Sequence, residues 1–111
     1  FVLAHMGGWK NWDEVLSELA DKNIFLDTSF STGKISPRKD FFWNDKDLNL
    51  LDEKNFLQFV KVFSADKILF GTDNPWTSAK ISMDFIKKIP ITEDEKIKIL
   101  GKNAASLLSI L

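Results

Sequence analysis

Apolar positions along this chain follow two alternating rhythms. Short apolar runs stand at residues 1–5 ("FVLAH"), 23–29 ("NIFLDTS") and 67–71 ("KILFG"), and each breaks into glycine, carboxylate or hydroxyl residues. Runs of this length, bounded by turn residues, predict buried strands. Between them the apolar spacing lengthens to three and four. In residues 9–21, Trp12, Val15, Leu16, Leu19 and Ala20 oppose Asp13, Glu14, Ser17 and Glu18, which predicts an amphipathic helix. A second helix is predicted between about residues 52 and 64, where Phe56, Phe59, Val60 and Phe63 form an aromatic stripe that reads as core rather than as a ligand site. Ile81, Phe85, Ile86 and Ile89 mark a third, stopped by Pro90 because proline excludes helical geometry from its predecessor.

The C-terminal quarter is helical throughout in this reading. Thr92 with Glu95 three positions on is a capping box opening the apolar face of Ile97, Ile99 and Leu100. Gly101 is placed to close or bend that helix, and Ala104, Ala105, Leu107, Leu108, Ile110 and Leu111 make a last apolar helical segment. Residues 31–47 carry Gly33, Pro37 and mixed charge without a period, so they read as a long loop, with Phe41, Phe42 and Trp43 as a packed lid or a contact with a neighbouring subunit. The β, α, β, α, β, α order predicts an α/β fold with a parallel sheet, since parallel strands need crossover connections.

Composition narrows the partners. The chain has 111 residues, 44% of them hydrophobic, which fits one small domain with a real core. Its 15 basic and 16 acidic residues are interleaved to a net charge of -1, so no basic tract asks for nucleic acid or an anionic membrane, and no apolar run is long enough to span a bilayer. The absence of cysteine removes disulfides and thiolate chemistry and suits a reducing compartment such as the cytoplasm. Because Phe1 already lies within a strand-like run, the chain is expected to be the later part of a longer protein.

In a parallel sheet the ligand site lies beyond the carboxyl ends of the strands. That places His5, Asp27 and Asp73 on one rim. Each also has a plain structural reading: His5 hydrogen-bonding a Gly-Gly turn, Asp27-Thr28-Ser29 closing a loop, and Asp73 before Asn74-Pro75 forming an Asx-turn or a helix cap.

"AHMGG", "NIFLDTS", "ILFGTDNPW" and "ITEDEKIKILGKNAASLL", in that order, resemble the C-terminal end of the amidohydrolase superfamily, in particular its amidohydrolase-related metal-dependent hydrolase branch. The resemblance covers nearly the whole chain. It implies the last three βα units of a TIM (β/α)8 barrel plus closing C-terminal helices, residues 1–111 being part of a single metal-dependent hydrolase domain. It implies a small-molecule substrate whose carbonyl is attacked by metal-activated water, or, as the alternative, non-oxidative decarboxylation of a carboxylic acid. It implies that Asp73 ligates a divalent metal, expected to be zinc, and can accept a proton from bound water. It further implies that His5 polarises the substrate oxygen or shuttles a proton, and that Trp76 lines the substrate pocket. A carboxylate and an imidazole are chemically suited to those roles near neutral pH.

One histidine and one carboxylate do not make a zinc site, which takes three protein ligands and an open position. The chain alone is therefore expected to be inactive. A noncatalytic α/β module stays open as a third reading. Three parallel strands also expose open edges, and from these and the aromatic content a homo-oligomer is expected.

Overall fold

A computed structural model describes residues 1–34 and 46–110. The aromatic cluster Phe41, Phe42 and Trp43 lies outside the described residues. Three strands, β1 (Val2–Leu3), β2 (Phe25–Asp27) and β3 (Ile68–Leu69), form one parallel sheet in the order β1-β2-β3. The register sets Leu3 opposite Leu26, and Leu26 opposite Ile68. Helices α1 (Trp12–Glu18) and α2 (Glu53–Phe63) make the two crossovers, and α3 (Ala79–Lys88) follows β3.

The strands are shorter than the apolar runs that predict them, for local reasons. At the first, His5 and Met6 adopt φ of 55° and 53°, and the chain winds into a 3-10 turn over His5–Gly7. At the second, the Asp27 carboxylate takes the Ser29 amide and bends the chain out of the ladder. Helix α2 is bounded by local chemistry as well. Asp52 accepts from Asn55 N at 2.9 Å at its start, and Ser64 leaves helical geometry at φ 71° at its end.

The core gathers Met6, Val15, Ile24, Leu26, Leu51, Ile68, Ile86, Ile89 and Ile99 around the stripe of Phe56, Phe59 and Phe63. Phe56 meets Phe85 edge-on at 5.6 Å, and Phe59 stacks on Phe63 at 5.9 Å. The stripe is core, as its spacing predicts.

The C-terminal segment settles one choice the sequence leaves open and departs from expectation in its exposed apolar positions. The Thr92–Glu95 capping box opens α4 (Glu93–Ile97), but Gly101 does not end the helix: the chain continues through a π-helical turn over Lys98–Lys102 into α5 (Asn103–Leu107). In the wider turn Asn103 N bonds to Lys98 O, and the Ile99 carbonyl accepts instead from Phe70 N at 3.0 Å. The helix is thereby stitched to the end of β3. Of the apolar positions, Ile99 is buried, whereas Ile97, Leu107, Leu108 and Ile110 face outward. Among the described residues no helix is long and apolar enough to cross a membrane.

Candidate active site

His5 and Asp73 follow the carboxyl ends of β1 and β3, the strands on either side of β2. The segment that joins their neighbourhoods is Asp27-Thr28-Ser29, at the end of β2. His5 is half-buried, and its Nδ1 lies 2.8 Å from the Ser29 carbonyl. A carbonyl only accepts, so Nδ1 carries the proton, and in the neutral ring Nε2 carries the lone pair. Trp12 Nε1 donates to His5 O at 3.1 Å, and Phe30 meets the imidazole edge-on at 6.4 Å, itself stacked on Trp9. The histidine is held from several sides.

Asp27 Oδ1 accepts from Ser29 N at 2.9 Å, from His5 N at 3.4 Å and from the Ser29 hydroxyl. Thr28 Oγ1 donates to Gly71 O at 3.2 Å and accepts from Gly71 N at 3.1 Å. A side chain at Gly71 would meet Ser29 Cβ at 3.1 Å, so the loop bearing Asp73 approaches this cluster as closely as backbone allows. The loop-closing reading of Asp27-Thr28-Ser29 describes these bonds well. The sequence did not reveal that they also grip His5; the Asp-x-Ser spacing signals an Asx-turn, but its distant partner carries no local signature.

Asp73 is exposed and sits at φ 56°. Neither of its plain structural roles is filled by its carboxylate. The turn is closed by Thr72 Oγ1, which accepts from Asn74 N at 3.3 Å, and by the Asp73 carbonyl, which accepts from Trp76 N at 2.9 Å. Helix α3 is capped by Ser78. Among the described residues the Asp73 carboxylate has no hydrogen bond or ion pair, which leaves a hard oxygen donor at the sheet's carboxyl rim.

Trp76 is 54% exposed. It lines a cleft of about 440 Å³ together with Lys34, Asn74, Pro75, Thr77 and Ser78. His5 and Asp73 are not among the walls of that cleft, so the described structure does not gather all three predicted residues into one cavity. Among the described residues, no group of three or more His, Cys, Asp or Glu side chains stands close enough to hold a metal ion. The donor set fits a share of a metal centre and not a whole one.

A parallel α/β layer whose polar loops cluster at the carboxyl ends of its strands defines part of a barrel enzyme scaffold. The sequence pattern of the amidohydrolase family matches residues 1–110, and the chain belongs to that family. Among solved structures it resembles a dihydroxybenzoic acid decarboxylase from Polaromonas sp. JS666 with bound manganese and the inhibitor 2-nitroresorcinol. The TM-score is 0.62 at 19% identity, over 98% of this chain and 33% of that one. It is similar also to 5-carboxyvanillate decarboxylase from Sphingomonas paucimobilis, with a TM-score of 0.61 at 19% identity over 97% and 33% of the two chains. An uncharacterized TIM-barrel protein from Bordetella bronchiseptica matches with a TM-score of 0.65 at 27% identity, over 97% and 33%. The chain spans about a third of the length of these structures, as a partial barrel does. No curated protein matches it.

Proposed function

We propose that this chain supplies the last βα units of a metal-dependent amidohydrolase-family enzyme that hydrolyses a carbonyl-type small molecule. The observation that carries the reading is the free Asp73 carboxylate beyond β3, on the same rim as a histidine whose ring is held through Nδ1. Asp73 contributes one ligand to a divalent cation, zinc by the sequence resemblance, whose other ligands come from outside the described residues. Such a cation supplies Lewis-acid polarisation. Asp73 is also a base for a proton on an attacking water, and His5, with Nδ1 bearing the ring proton, offers the unprotonated Nε2 as the acceptor that shuttles a proton. Trp76 offers an apolar wall to the substrate.

Decarboxylation of a carboxylic acid is the second reading, supported by the likeness to two decarboxylases. It needs the same two residues.

The test is metal analysis and turnover of the intact enzyme carrying this chain, with Asp73→Asn and His5→Asn as variants. Asp73→Asn is expected to lose bound metal and turnover together, and His5→Asn to keep the metal and lose turnover. Release of an acid from esters, lactones or amides supports hydrolysis, and release of carbon dioxide from hydroxybenzoic acids supports the second reading. Full metal and full turnover in Asp73→Asn overturns both.

A further inference from the structure

Three contacts around His5 close into a ring. His5 Nδ1 bonds to Ser29 O, Ser29 N bonds to Asp27 Oδ1, and His5 N bonds to the same Asp27 oxygen. One carboxylate oxygen therefore holds both ends of the bond that orients the imidazole: the main chain of the histidine, and the residue whose carbonyl receives the ring proton. The Ser29 hydroxyl adds a further bond to that oxygen. Ser31 Oγ donates to the Ser29 carbonyl at 2.9 Å, a second hydrogen bond that holds the same acceptor. Ser29 and Ser31 are both buried, so water is poorly placed to substitute for any of these partners.

We propose that Asp27 is a positioning residue for His5, setting which imidazole nitrogen bears the proton and so which one is left to meet a substrate. The functional part of this inference rests on the reading of His5 given above. A free neutral imidazole carries its proton mainly on Nε2. Holding it on Nδ1 requires an acceptor fixed at hydrogen-bonding distance, and two loops from different strands drift apart unless something ties them. An anionic acceptor makes that tie stronger than a neutral one. Asp27 acts through another residue and does not itself meet substrate in this scheme.

The test uses the 111-residue chain described above, whose single histidine makes its nitrogen spectrum unambiguous. In nitrogen-15-labelled protein above the imidazole titration, the unsubstituted chain is expected to show a pyrrole-type Nδ1 and a pyridine-type Nε2. Asp27→Ala is expected to lose that signature in favour of Nε2–H. Ser29→Ala, which keeps the carbonyl and the main-chain amide, is expected to shift partway. Thr28→Val, which removes only the bonds to Gly71, should lower stability and leave the tautomer alone. If Asp27→Ala does not fold, Asp27→Asn decides: it keeps the size and one oxygen, and is expected to raise the Nε2–H share. An unsubstituted chain without Nδ1–H, or folded Asp27 variants that keep it, overturns the proposal. Full turnover of His5→Asn in the intact enzyme would instead sink the reading of His5 and leave the role of Asp27 standing.

Discussion

The side-chain amide of Asn103 donates to the main-chain carbonyl of Ile68 at 2.9 Å, 35 residues earlier in the chain, and to Ala65 O at 2.6 Å. The first residue of α5 thus satisfies the acceptors that lead into β3. Together with the Phe70–Ile99 bond it fastens the C-terminal helices to the sheet. Asn103→Ala leaves two carbonyls without that donor at a buried position and is expected to cost about 2 kcal/mol. Asn103→Asp should cost more, since a carboxylate has no proton to offer either oxygen. Urea denaturation reads both, and an unchanged midpoint in Asn103→Ala would refute the assignment.

Gly7 is required twice over. Its φ is +92°, and a Cβ there would stand 2.8 Å from Val15 Cγ1 and 3.3 Å from Leu26 Cδ2, both in the core. Gly7→Ala is expected to destabilise by about 2 kcal/mol, through overpacking added to left-handed strain. Because Gly7 ends the turn that carries His5, the same variant should disturb the imidazole spectrum. A stable protein with an unaltered spectrum would show that the turn yields more easily than its contacts imply.

Acid and base limits follow from Lys98, which bridges Asp66 at 3.0 Å and Asp94 at 3.2 Å. The Lys98 hydrogen bond, helped by the Ser64 hydroxyl, holds the Asp66 carboxyl below its ordinary 3.8. Its contribution to stability is therefore complete above that value and is lost as pH falls through the lowered one. Lys98 is shifted up from 10.5, chiefly by its bond to Asp66, so its share is complete below 10.5 and is lost at higher pH. Asp66 is exposed and Lys98 partly so, and solvent screens the pair. The gap in urea midpoint between the unsubstituted chain and Asp66→Asn should be small, widest near neutrality, narrowed by salt and closed in strong acid. A gap that widens as pH falls would contradict the pairing.

Self-association is proposed for the chain by itself. Phe1 and, on β1, Val2 stand exposed, and Leu107, Leu108 and Ile110 are exposed at the C-terminal end, apolar side chains that a second copy of the chain can cover. Sedimentation at micromolar concentration should show species heavier than a monomer. A strictly monomeric profile would defeat the proposal.

The helices were legible because burying one face imposes a period, and Phe56, Phe59, Phe63, Ile86 and Ile89 fall on it. The capping box was legible because both its partners lie within one turn. Ile97 and Leu108 show the limit of periodicity: they keep the apolar pattern and face outward, since burial needs a neighbouring element and none among the described residues covers them. Gly101 shows another: closing and bending were both open to it, and the chain passes it in a π-helical turn whose Ile99 carbonyl is bonded across the fold to Phe70 N.

The site divides along the same line. Residue types and their order placed an imidazole after the first strand and a carboxylate after the third, because parallel βα units bring their strand ends to one rim. Only the tertiary structure decided that His5 is held through Nδ1 by Ser29, that Asp27 grips both, and that the turn after β3 closes without using the Asp73 carboxylate. The two bonds to His5 join loops more than 20 residues apart, formed when the parallel strands align, and no local pattern encodes them.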